Sequence, residues 1–141
     1  MFVLDSDTFT HLLRREPRVM ARMEHSLQQN EDVGLTIVTK IEVLQGRMAA
    51  VLKADTHERF LTRQQELLAT EKRLGEMRIV LLSESALRHF DELIEIRGLR
   101  KIGRADLLIA NIARAQKATL VTRNLKHFKL IPQLKCENWV D

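Results

Sequence analysis

The chain has 141 residues, a length that suits one domain with one core. Hydrophobic residues make up 45% and charged residues 30%, which excludes a disordered chain, and no apolar run approaches the ~20 residues of a membrane-spanning helix. Net charge is +4, and a single cysteine, Cys136, excludes internal disulfides and any Cys-rich zinc site.

The N-terminal run Phe2–Asp5 is short and apolar and ends in acid, which predicts a first strand and not a signal peptide. Asp5, Ser6 and Asp7 are good N-cap residues, so a helix to about Arg15 should follow. Pro17 suits the first turn of a second helix over about 17–30. Residues 33–38 (VGLTIV) read as strand 2. Thr39 should then open a helix with Ile41, Leu44, Met48 and Val51 on its apolar stripe. A long charge-rich helix over 55–75 is expected to end at Gly75. Residues 78–82 (RIVLL) predict strand 3, and Ser83 caps a helix to about Arg97 that Gly98 closes. Residues 104–117 are apolar almost all round, so that helix should be deeply buried. Strand 4 falls at 119–122, a short helix at 124–128 and a last strand near 137–140. Alternating strands and helices predict an α/β fold, a central parallel sheet covered on both faces. A soluble, cytoplasmic, single-domain protein over 1–141 is the expectation.

In open α/β sheets, ligands collect outside the carboxyl ends of the strands. The polar residues expected there are Asp5 and Asp7 after strand 1, Glu42 after strand 2, Asp106 in the first turn of the buried helix, and Asn124 after strand 4. Acids aimed at one crevice repel one another unless a cation neutralises them. Hard carboxylate oxygens suit Mg²⁺ or Mn²⁺, and such ions serve phosphoryl chemistry. Each acid also has a purely structural reading. Asp5 could cap its helix. Glu42 could close a capping box with Thr39, since Thr39-Lys40-Ile41-Glu42 has the S/T-x-x-E pattern. Asp106 is harder to explain away. It shares a helical face with Ile109, Ala110 and Ala113, and a carboxylate there needs a partner or a metal.

Between Arg97 and Lys135 lie ten Lys/Arg and one acid, Asp106. Such a field attracts phosphate backbones, although it can equally be a solvated face. Arg104, Arg123 and Lys126 are the candidate contacts to such a backbone. The five histidines show no HExxH or other close pairing, so none is a candidate zinc ligand, and His127 reads as structural or surface. Trp139 reads as core. With 4% aromatics and no tyrosine, base stacking has little support.

Four segments then carry a resemblance: FVLDSDTFTHLL (2–13), TIVTKIEVLQG (36–46), KIGRADLLIANIA (101–113) and LVTRNLKHFKLIPQLKCENW (120–139). In order and spacing they resemble the successive motifs of a PIN domain, more narrowly the VapC-type toxins of bacterial toxin–antitoxin pairs. The resemblance implies a PIN-like α/β/α sandwich and a Mg²⁺- or Mn²⁺-dependent endoribonuclease. The family's acidic positions fall on Asp5, Glu42 and Asp106, the expected metal ligands. The fourth corner, an acid in many PIN domains, is Asn124, which removes a charge and bears on whether a second ion binds. The resemblance further implies an RNA substrate such as tRNA, a small antitoxin protein that covers the cleft, a homodimer and a toxin–antitoxin hetero-oligomer. Two alternatives remain open at this point. One is a PIN-like RNA- or antitoxin-binding module without catalysis. The other is a phosphatase of the haloacid-dehalogenase type, which VLDSD resembles, although that family wants Thr or Val where Phe9 stands.

Overall fold

In the computed structural model, which describes residues 1–141, five short strands form one all-parallel sheet in the order β3-β2-β1-β4-β5. They are β1 (Phe2–Leu4), β2 (Val33–Thr36), β3 (Arg78–Val80), β4 (Thr119–Val121) and β5 (Lys135–Glu137). The helices are α1 (Ser6–Leu13), α2 (Pro17–Gln28), α3 (Ile37–Leu52), α4 (His57–Gly75), α5 (Glu84–Ile94), α6 (Arg104–Ala115) and α7 (Leu125–Phe128), with a 3₁₀ turn at Arg97–Leu99. The predicted α/β sandwich with a parallel sheet is the fold observed.

Strand β1 lies at the centre because its residues are apolar on both faces, and Val3 and Leu4 are fully buried. It pairs with β2 through Val3↔Gly34 and with β4 through Val3↔Leu120. Gly34 has a steric reason to be glycine: a Cβ there would lie 2.7 Å from the Arg78 carbonyl oxygen of β3. The sheet separates two apolar clusters. One joins Phe90, Leu93, Leu107, Ile109, Ile112 and Leu120 beneath α5 and α6. The other joins Leu4, Phe9, Val19, Leu35, Leu74 and Trp139 beneath α1, α2 and α4. Each large side chain fully buried there contributes about 1.5–3 kcal/mol. The deep burial expected of α6 is observed, with Leu107 and Ile109 to Ala113 all buried. Trp139 is core, as expected, and packs edge-on against Phe2.

Several boundaries differ from expectation. Strand β2 ends at Thr36, and α3 begins at Ile37 because Thr36, not Thr39, is the N-cap: its Oγ1 accepts from the Thr39 N–H at 3.0 Å. The buried side of α3 is Val38, Thr39 and Val43, whereas Ile41 and Met48 of the expected stripe are exposed. Helix α5 stops at Ile94, short of Arg97, and α6 stops at Ala115. The last strand is Lys135–Glu137, which starts two residues before the expected 137–140 and ends three residues before it. Neither Gly75 nor Gly98 takes a left-handed conformation. Lys117 does so after α6, with φ 52°, closing that helix where a glycine is usual.

Candidate active site

The chain runs from β1 outward to β2 and β3, then crosses back to β4 on the other side of β1. The order therefore reverses between β1 and β4, and a crevice opens outside their carboxyl ends, the position such sheets give to ligands. Its volume is 240 Å³, and Asp5, Asp7, Glu42, Asp106 and Asn124 line it together with Ser6, Ile109 and Phe128. All four corners expected from sequence thus meet in one crevice, although they come from four separate segments.

Asp5 follows β1 directly. Its Oδ1 caps α1 by accepting from the Thr8 N–H at 2.8 Å. The capping and site readings of this residue coexist, because the cap uses one oxygen only. Burial pushes the Asp5 carboxyl above its ordinary range; the Thr122 hydroxyl and the Thr8 N–H draw it partly back, and the Asp7 charge adds to the rise. Glu42 lies one turn into α3. It does not close a capping box: Thr36 is the cap, and Glu42 Oε1 accepts instead from the Ser6 hydroxyl at 2.7 Å. That bond ties the start of α1 to α3 across the crevice.

Asp106 sits in the first turn of α6, where the helix dipole favours its charge. Its burial is partial, with 40% of the side chain exposed, and it has a partner: His127 Nε2 lies 3.2 Å from Asp106 Oδ2. A carboxylate on this face is expected to need a partner or a metal, and His127 is such a partner. His127 is accordingly a site neighbour, half-buried at the edge of the crevice. Asn124 precedes α7, and its N–H donates to the buried Thr122 hydroxyl at 3.0 Å. The sequence pattern does not mark Ser6, Thr122 or His127 as site residues: Ser6 reads only as a possible cap, His127 as structural or surface, and Thr122 only as part of strand 4.

The donor chemistry fits a hard divalent cation. Asp5, Glu42 and Asp106 each keep one carboxylate oxygen that the cap, Ser6 and His127 do not use. No three acidic or histidine side chains close around a point as a complete cage would. An ion held by one or two carboxylates that retains several waters needs no such cage, and this is the habit of Mg²⁺.

The candidate RNA contacts divide. Lys126 is exposed and makes no ion pair. Arg123 is held by Asp141 at 3.2 Å and approaches Asp7 at 3.8 Å. The Arg104 guanidinium lies 5.3 Å from the centre of the Phe90 ring.

Comparison with known proteins places this architecture. The PIN domain model matches residues 2–133. Ribonuclease VapC2 of Rickettsia felis is 31% identical, over 99% of this chain and 98% of that protein. The crystal structure of VapBC2 from Rickettsia felis bound to a DNA fragment from their promoter superposes with a TM-score of 0.76 at 27% identity, covering 98% of both chains. The fold also matches VapBC-1 from nontypeable Haemophilus influenzae, with a TM-score of 0.78 at 23% identity over 99% of this chain and 98% of that one. The parallel-sheet fold and the full-length likeness agree: the chain belongs to the PIN domain family, and within it to the VapC ribonucleases.

Proposed function

We propose that the chain is a metal-dependent endoribonuclease, the toxin of a toxin–antitoxin pair, and that Asp5, Glu42, Asp106 and Asn124 carry its chemistry. The observation behind this is the meeting of those four side chains in one crevice at the β1/β4 reversal. Asp5 and Asp106 would hold a Mg²⁺ or Mn²⁺ ion, with Glu42 completing its surroundings. When bound, the ion supplies positive charge against the scissile phosphate and lowers the pKa of water.

The chain's own residues then set the geometry. The cap to Thr8 fixes the Asp5 carboxylate, and the Ser6 hydroxyl fixes Glu42. Glu42 orients the attacking water through the oxygen that Ser6 leaves free. Asn124 offers a neutral amide, so it adds a hydrogen-bonding group without further repulsion. Water adds to phosphorus, the bond to the 3′ oxygen breaks, and the products carry 5′-phosphate and 3′-hydroxyl ends. Lys126 contacts the RNA backbone as a free cation, and Arg104 and Arg123 do so from their places beside Phe90 and Asp141.

The VapBC complexes among the structural relatives support an antitoxin partner, which on this reading covers the crevice. A homodimer and a structured RNA such as tRNA complete the reading. No helix is long and apolar enough to cross a membrane. The decisive experiment is cleavage of RNA by the protein freed of antitoxin. Activity should require Mg²⁺ or Mn²⁺, stop with EDTA and vanish in Asp5→Asn and Asp106→Asn. Undiminished cleavage by both variants would refute the assignment, whereas metal-independent RNA binding without cleavage would favour a binding module.

A further inference from the structure

A second cavity, of 330 Å³, opens at the other end of the sheet. Lys117 and Ala118 lead into β4, and Lys135 pairs with Thr119 where β4 and β5 begin, so the cavity lies at the amino ends of these strands. The crevice of Asp5 and Asp106 lies at their carboxyl ends. Along α6, Arg114 is eight residues beyond Asp106, about 12 Å at helical rise.

Four of the lining residues are basic or can become so, His89, Arg114, Lys117 and Lys135, and none of the lining residues is acidic. No ion pair engages any of the four. Arg114 Nη1 is buried and has no hydrogen-bond partner. His89 uses Nδ1 on the Ser85 carbonyl, which leaves Nε2 free. A helix C-terminus attracts cations, which accounts for Arg114 and Lys117 at the end of α6. It does not account for Lys135 on a strand, or for a guanidinium nitrogen removed from water and left unpaired, an arrangement that costs free energy unless something anionic meets it.

The wall of the cavity also includes a residue with an unpaired acceptor. Asn111 is fully buried; its amide nitrogen donates to the Ala86 carbonyl, while Oδ1 has no partner. A phosphodiester or fully ionised phosphate group offers no donor to that oxygen, so the matching ligand carries a hydroxyl or amine donor beside its anionic group. The rest of the wall is Ala115, Ala118 and Gln133, with no aromatic platform for a base other than the imidazole of His89. The volume is at the scale of small-molecule sites and well beyond a lone phosphate ion. Two of the four left-handed non-glycine residues, Lys117 and Gln133, are at this cavity.

From these features we infer that the cavity binds a ribose-phosphate group, with Arg114, Lys117 and Lys135 on the phosphate and Asn111 Oδ1 accepting from a sugar hydroxyl. The group is common to a free mononucleotide and to an RNA strand. The inference does not require catalysis at the carboxylate crevice, and its test reads binding alone.

The full-length protein is titrated in EDTA, where the acidic crevice repels phosphate, and binding is followed by NMR and calorimetry. Three probes are compared: adenosine 5′-monophosphate, inorganic phosphate, and a single-stranded RNA oligomer with the Asp106→Asn variant. Lys117→Gly and Lys135→Gln are the test substitutions. Glycine at 117 suits the left-handed backbone, so this variant keeps the fold while losing the cation. Each substitution is expected to weaken binding about tenfold, the loss of one charge-assisted hydrogen bond. Weakened mononucleotide binding identifies a free nucleotide as the source; weakened RNA binding with a silent mononucleotide identifies the strand. Inorganic phosphate binding as tightly as the mononucleotide overturns the sugar contact. The site itself is overturned if none of the three probes binds, or if binding is the same in both variants and the parent.

Discussion

Asp5 does two things with two oxygens, and substitution can separate them. Asparagine keeps an oxygen able to accept from the Thr8 N–H, 2.8 Å away in the parent, so Asp5→Asn retains the cap of α1. Alanine removes it, at about 1 kcal/mol. For a domain of this length that is about 2–4 °C in Tm. Both variants should lose RNA cleavage by at least about 100-fold, as expected when a preorganised charged group is removed. The pH dependence adds a second signature. Burial raises the folded-state pKa of Asp5 above its unfolded value. The folded state therefore holds the proton more tightly, so this group's stabilising contribution is complete below the unfolded pKa and is lost as pH rises through the raised one. In EDTA, the parent should lose part of its stability upward from the ordinary Asp range, and Asp5→Asn should not. Thermal melts across pH 4–8, about one per half unit, test this together with a cleavage assay. An Asp5→Asn protein that melts like Asp5→Ala, or a parent and variant with superimposable pH profiles, would refute the division of labour.

Three further outcomes follow from the same geometry. Thr36→Ala should cost about 2–3 kcal/mol, because it removes the cap of α3 and leaves the buried Thr39 N–H unpaired; Thr36→Ser should be far milder, and chemical denaturation distinguishes them. Ser6→Ala should leave stability nearly unchanged but lower kcat about tenfold with KM unaffected, since only the orientation of Glu42 is lost; a change in KM alone would contradict this. Burial pushes the Cys136 thiol up to about 11. At pH 8 about a thousandth of it is thiolate, so iodoacetamide should label it about a hundredfold more slowly than an unperturbed cysteine.

Much of this architecture was legible because it depends on local pattern. Short β-branched runs alternating with helical stretches gave the parallel sheet, and the rule of the carboxyl ends gave the crevice. Boundaries failed where two residues could do one job. Thr36 and Thr39 are both plausible caps, and the sequence pattern T-x-x-E favoured Thr39. The parallel pairing of β2 with β3 ends at Thr36↔Val80, so Thr36 is the last residue of the strand, the helix starts directly after it, and Thr36 is the cap. Helix ends failed for a similar reason: glycine marks a left-handed residue only when a helix needs one, and here Lys117 took that conformation while Gly75 and Gly98 did not.

The shift from Thr39 to Thr36 has a consequence at the crevice. Were Thr39 the cap, Glu42 would be the third helical residue and its carboxylate would turn back to the backbone, competing with any role in binding. With Thr36 as cap, Glu42 is the sixth residue of α3 and has no orphan N–H to serve. It is free to meet Ser6, a contact 36 residues distant in sequence that no local pattern could disclose. Ser6 stands directly after Asp5, so the same short segment caps α1, presents one carboxylate and steers a second. Asp106 and His127 approach each other at 3.2 Å on the other side, from α6 and α7, a close contact and not a hydrogen bond. The types of residue in the crevice were readable one by one; their pairing is a property of the assembled sheet, which brings the ends of β1 and β4 together and turns isolated polar residues into fixed ones.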